Sequence, residues 1–190
     1  AIVCYLHSLG IGGRMTEEIS LKWFTMKIDP GDTHAVITDR LNSIGIDFDL
    51  LPYSVYVLRL AGKFSIDYKN ERHTPVVYIG EGKFRGRINS HRKWLKKLHA
   101  LISETPLEVK FCFPRGPDDV ARHRELEAVL LAEFKRKFGA LPLQNKQHER
   151  VISSIIFQER TLGQVLGPGS GKEFLWALRP LKANKFAKIE

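Results

Sequence analysis

The chain is poor in cysteine: Cys4 and Cys112 are the only two among 190 residues. So few thiols build no disulfide scaffold, and the absence of any Cys-x-x-Cys spacing removes a zinc ribbon. A reducing, intracellular setting follows, and a cytoplasmic location is expected. The seven histidines are scattered, with no His-x-x-x-His pair for a metal. Long apolar runs are missing as well. None approaches the roughly 18 to 20 residues that span a bilayer, so a membrane protein is excluded at this level. Residues 1–9 are apolar but lack a basic leader, and no initiator Met precedes them. They read as a trimmed or tagged start, not as a secretory signal. Internal repeats and low-complexity tracts are absent. The segment Gly167-Pro168-Gly169-Ser170-Gly171-Lys172 is one residue short of a phosphate-binding loop, is followed by Glu173 in place of Ser or Thr, and has no strand before it. A linker is the better expectation.

What is present is the composition of a folded domain. Hydrophobic residues make up 43% and charged residues 27%, close to the globular average, and the length suits one core domain with extensions. The formal net charge is +9, unevenly spread. Residues 1–82 carry 8 basic and 10 acidic side chains, whereas residues 83–103 carry seven basic ones (Lys83, Arg85, Arg87, Arg92, Lys93, Lys96, Lys97) and no acid. A run of this kind is either a solvated helix face or the contact surface for a polyanion.

Punctuation divides the chain into elements. Thr16, Glu17 and Glu18 read as a helix start. The turn Asp29-Pro30-Gly31-Asp32 precedes a helical spacing of Ile37, Leu41 and Ile44 that ends at Gly45. Residues 54–60 and 75–79 are short, β-branched and aromatic, which predicts two strands, with residues 62–74 as a connection. Residues 85–102 predict a helix with Ile88, Leu95, Leu98 and Ile102 on one stripe. Residues 107–113 alternate apolar and polar, as a half-buried strand does. Asp118 or Asp119 is suited to cap a helix running to Phe138 and closed by Gly139. A last helix is predicted over 151–166. The sum is an α/β layered domain, a central three-stranded antiparallel sheet flanked by helices. It divides into an N-terminal helical extension (1–50), a core (51–148) and a C-terminal extension of helix, Gly-rich loop and tail (149–190).

Some residues are chemically out of place on these elements. On the helix ending at Phe138, the stripe Leu130, Leu131, Phe134, Phe138 has Glu127 at its head. A carboxylate there is either a rim residue reaching water or one compensated by a cation, and hard divalent cations take such oxygens. On the helix at 85–102, His91 stands where the stripe calls for an apolar residue, with Arg87 one turn earlier on the same side. That pair is either a satisfied core histidine beside a surface arginine, or equipment for a phosphoryl group. Arginine donates paired hydrogen bonds to phosphate oxygens, and histidine moves protons near neutral pH. The two predicted strands carry Tyr56 and Tyr78, which serve packing or, beside a cation, proton transfer.

In order, Ser54-Val55-Tyr56, Tyr78-Ile79-Gly80, Arg87-x-x-x-His91, Glu127 followed by Leu130-Leu131, and Pro142-x-x-Asn145 resemble the motifs of the GIY-YIG nuclease superfamily. The likeness covers residues 54–147, about half of the chain, and a free-standing chain of this size with segments on either side of that core resembles a compact restriction-type endonuclease. Ser54 and Val55 replace the Gly and Ile of the first motif, and the connection between the tyrosine motifs is longer than in minimal members, as an insertion makes it. Glu125 and Glu133 flank Glu127, but only Glu127 fits both the aliphatic doublet and the stripe.

The resemblance implies a GIY-YIG-like fold and Mg²⁺- or Mn²⁺-dependent hydrolysis of phosphodiester bonds. Tyr56 would be the general base, Tyr78 or His91 would assist the proton, and Arg87 would stabilise transition-state charge. Glu127 would hold the metal and Asn145 would be a supporting polar residue. Lys83, Arg85, Arg92, Lys93, Lys96 and Lys97 would track a nucleic-acid backbone. Trp94 on that helix suits either base stacking or packing. The expected partner is double-stranded DNA, cut site-specifically by a homodimer whose two-fold symmetry matches a palindrome. A structure-specific repair nuclease, a toxin-type nuclease on DNA or RNA, and a catalytically silent nucleic-acid-binding module are the alternatives.

Overall fold

A computed structural model describes residues 18–46, 53–68, 73–102, 106–115, 121–147, 156–168 and 174–179 of the chain. The first half contains β1 (Glu18–Ile19), β2 (Phe24–Ile28), α1 (His34–Ser43), β3 (Ser54–Leu60), β4 (Phe64–Asp67), β5 (His73–Thr74) and β6 (Val76–Gly82). There follow α2 (Phe84–Ile102), β7 (Leu107–Cys112), α3 (His123–Phe138), β8 (Ile156–Phe157), α4 (Glu159–Leu166) and β9 (Trp176–Leu178). The architecture is mixed α/β with antiparallel sheets and helices, as the sequence predicts in outline.

The main sheet has the order β2-β7-β3-β6, and every neighbouring pair is antiparallel. All seven residues of β3 are buried, which is what a strand covered on both faces requires. On one face the register aligns Phe24, Phe111, Tyr56 and Gly80 in one row, and Met26, Val109, Leu58 and Tyr78 in the next. Helix α2 covers this face. Its buried Phe84 packs edge-on against Tyr56 (5.8 Å) and tilts against Phe111 (5.1 Å). The opposite face presents Val55, Val57 and Arg59 beside Cys112, Lys110 and Glu108, and α3 and α4 cover it. Helix α3 buries Leu126, Leu130, Leu131, Phe134 and Phe138 and stops at Gly139, whose left-handed φ of 74° suits a residue without a Cβ.

The last turn of a helix leaves carbonyls without intrahelical partners. In α4 these are met by side chains of the sheet. Lys110 Nζ donates to the Gln164 carbonyl (3.0 Å), Thr74 Oγ1 to that of Leu166 (2.6 Å), and the Arg59 guanidinium to that of Val165. Arg59, 1% exposed, also pairs with Glu108 at 2.9 Å.

The structure differs from the sequence expectation in several places. The central sheet has four strands, not three. Residues 24–28 lie within the segment expected to be a helical extension, yet they pair with β7 along five residues as an edge strand. Their alternation Phe24, Met26, Ile28 against Thr25 and Lys27 is the two-residue period of a strand with one covered face. Thr16 and Glu17 lie outside the described residues, and Glu18–Ile19, expected to begin a helix, instead pairs in parallel with Ile156–Phe157. The connection at 62–74 contains β4 and β5, which join β9 in a second sheet of order β5-β4-β9. The last helix begins at Glu159, after a strand, and part of the expected C-terminal tail is strand β9. Asp118, Asp119 and residues 169–173 lie outside the described residues, and the N-cap position of α3 is Arg122. Among the described residues, no helix is long and apolar enough to cross a membrane.

Candidate active site

Tyr56 and Tyr78 come together because of strand register. Tyr56 is paired with Gly80, and Tyr78, two residues before Gly80, projects from the same face. The two rings lie 6.0 Å apart, and their hydroxyls share a hydrogen bond. Gly80 is what makes room for them. A Cβ there would stand 2.5 Å from Tyr78 Cε1 and 2.9 Å from each phenol oxygen. The glycine of the Tyr-Ile-Gly motif is therefore a space requirement of the two phenols.

Helix α2 adds His91 and Arg87. The imidazole lies 4.6 Å from the Tyr78 ring and 5.6 Å from the Tyr56 ring, centre to centre. Its Nε2 is 3.3 Å from Tyr56 Oη, and the donor in that bond depends on the tautomer. Burial, and then the charge of Arg87, lower its pKa from 6.5 to about 4, so at neutral pH the ring is uncharged. Burial also holds both phenols above the ordinary tyrosine value. The charge of Glu127 raises both further, and that of Arg87 pulls both down. Arg87 and Glu127 thus act electrostatically on both phenols, and Arg87 on His91, so the group is drawn from β3, β6, α2 and α3.

The structure separates the two tyrosines in a way that the motifs do not. Tyr56, which the resemblance makes the general base, is 0% exposed, whereas Tyr78 keeps exposed surface. Of the two phenols, Tyr78 is therefore the one that solvent reaches, with Tyr56 behind it. Asn145 also has a definite structural role. Its Oδ1 accepts from the Ile79 N–H (2.9 Å) and its Nδ2 donates to the Ile79 carbonyl (2.7 Å). The Gln144 N–H donates to the Val77 carbonyl nearby (2.9 Å). Strand β6 is at the sheet edge, and residues 144–145 satisfy its outward backbone groups on either side of Tyr78. Asn145 is a positioning residue.

The surface expected to meet a polyanion is partly visible. Arg87, Lys93, Lys96 and Lys97 are exposed along α2, and Lys83 is exposed just before it. The side chains of Arg85 and Arg92 lie outside those described. Trp94 is partly buried against the core, which favours packing over base stacking.

Among the described residues, no group of three or more His, Cys, Asp or Glu side chains is arranged to hold a metal ion. The half-buried Glu127 carboxylate, whose charge reaches both phenols, is a hard oxygen donor. It fits a hard cation that keeps its waters and takes phosphate oxygens from a substrate, as Mg²⁺ does with one or two carboxylates. One cluster beside the site was not singled out from the sequence. His123, one turn before Glu127, has its Nε2 3.3 Å from Glu81 Oε2 and stacks on the Tyr53 ring. No sequence signal marks it, because its members come from β6, α3 and the residue before β3, and none carries a motif. Comparison with known proteins adds no relative: no protein-family model, no curated protein and no solved structure matches this chain.

Proposed function

We propose that the chain is a metal-dependent endonuclease that hydrolyses phosphodiester bonds in DNA, with a GIY-YIG-like catalytic core. One observation carries the reading: two tyrosines, an arginine, a histidine and a carboxylate from four elements gather beside a helix that is basic along its exposed side. Arg87 is exposed and meets the phosphate, donating to its oxygens. Tyr78 meets the attacking water. As water gives its proton to Tyr78 Oη, Tyr78 passes its own to Tyr56 Oη and Tyr56 passes one to His91 Nε2, 3.3 Å away. His91 is a weak acceptor first because it is buried and then because of the Arg87 charge beside it. Phosphate bound to Arg87 offsets that charge and makes the imidazole more basic when substrate is present. Glu127 would hold Mg²⁺ or Mn²⁺, which would supply stabilisation of the charge that develops on the leaving group. Cleavage of both strands of a duplex at defined sites by a homodimer is the specific form proposed.

The test is digestion of supercoiled and linear DNA with and without Mg²⁺, using the wild type and Glu127→Ala in parallel. Discrete fragments that need both metal and Glu127 are expected. A smear would keep the nuclease and remove the site-specific form. DNA binding without cleavage, across several metals and with RNA as well as DNA, would leave a binding module in which the raised phenol pKa values reflect packing alone.

A further inference from the structure

The cluster of Tyr53, Glu81 and His123 has no part in the chemistry above, yet it borders it. His123 and Glu127 stand four residues apart on α3, so their side chains are neighbours on one side of the helix. Glu81 follows Gly80 directly, and its charge reaches Tyr78. The Glu81 carboxylate holds the imidazole from one direction at 3.3 Å. The Tyr53 ring lies on it from another, with centroids 4.8 Å apart and planes within 19° of parallel. Tyr53 is nevertheless 50% exposed. An aromatic ring with one face backed by an imidazole that a carboxylate adjoins, and with much of its surface in water, is unusual for packing. Its rotamer is already set, so binding something flat on the open side costs little further ordering.

We propose that Tyr53, backed by His123 and Glu81, is a stacking platform for a nucleobase that is out of the duplex stack and adjoins the phosphate bound at Arg87 and Glu127. The inference rests on the nucleic-acid reading of that site. The exposed lysines of α2 supply attraction for the phosphate chain and carry no preference for bases, whereas every base has a flat face to offer Tyr53. Alanine substitution at such platforms costs about 1 to 3 kcal/mol per base, or roughly 5- to 150-fold in affinity.

The test uses two labelled single strands of equal length, one of mixed sequence and one in which every nucleotide is abasic, so that the phosphates are the same and the bases are gone. Binding is followed by fluorescence anisotropy in Ca²⁺ with the wild type, Tyr53→Ala and Tyr53→Trp. The wild type should prefer the base-bearing strand by about five-fold or more. Tyr53→Ala should lose most of that preference while holding the abasic strand as before, and Tyr53→Trp should retain it. Retained affinity for the abasic strand also reports that the variant is folded. An unchanged preference in Tyr53→Ala would overturn the platform and leave the phosphate-binding site standing. A wild type that binds neither strand but binds a labelled duplex would overturn the platform alone, and one that binds no duplex either would overturn the nucleic-acid reading as well.

Discussion

At the scale of single residues, the site is governed by how burial prices charge. His91 is the clearest instance. Its folded pKa, about 4, lies below the ordinary 6.5. Between those values the unfolded chain takes up a proton that the folded one refuses. The stability conferred is therefore complete above about pH 6.5 and is lost as pH falls toward 4. Replacing His91 by Gln removes the titration and keeps an amide able to bond Tyr56. Urea unfolding at about pH 7.5 and about pH 4.5 should show the wild type losing about 2.5 kcal/mol more than His91→Gln between the two conditions. Equal losses would mean that the imidazole is not held neutral by its surroundings. Gly80 illustrates the steric counterpart, since the atoms that exclude a Cβ there are those of the two tyrosines.

At the scale of elements, α4 is fastened to the sheet by polar side chains that meet its last carbonyls. Arg59 is central to this. It is buried, paired with Glu108 and bonded to the Val165 carbonyl. Removing one member of a buried pair leaves the other's charge uncompensated, which typically costs about 3 to 5 kcal/mol. Arg59→Ala should lose stability on that scale and speed amide hydrogen exchange in Glu159–Leu166 ahead of the sheet. Adding Glu108→Leu to an Arg59→Met change should recover much of the loss, because neither charge of the pair then remains. Losses that simply add in the double variant would mean that the two side chains do not act as a pair. Cys112, on the same face, is a lesser matter: burial pushes its thiol well up, so it behaves as a small apolar residue.

At the scale of the molecule, charge is segregated. The formal excess of +9 is concentrated near α2, which borders the tyrosines and carries exposed Lys93, Lys96 and Lys97. If these lysines sit on phosphates, each releases counterions on binding. The slope of log affinity against log salt for duplex DNA should then become shallower by up to about 0.9 for each lysine replaced by Gln. Titration of a labelled duplex through a salt series with the wild type and a Lys93→Gln, Lys96→Gln, Lys97→Gln variant measures this directly. An unchanged slope would assign these lysines to a solvated face and direct the search for the phosphate contacts elsewhere.

Much of the fold could be read from local pattern. Residues 54–60, 76–82 and 107–112 declare themselves by branching or alternation, and the helix ending at Gly139 by its apolar stripe, because side-chain period follows backbone geometry. The residue types of the site were legible too, since Glu127 and His91 interrupt apolar stripes. Short strands were not: Glu18–Ile19, Phe64–Asp67 and Trp176–Leu178 exist through partners distant in the chain, and a strand's pairing energy has no local signature. Nor could the order of the two tyrosines be read. Tyr56 and Tyr78 are alike in sequence, and only the covering of one face by α2 leaves the first buried and the second partly at the surface. The bonds of Asn145 to the edge of β6, and the stack of Tyr53 on His123, arise the same way. Each joins residues whose separation along the chain is large, and packing alone determines that they meet.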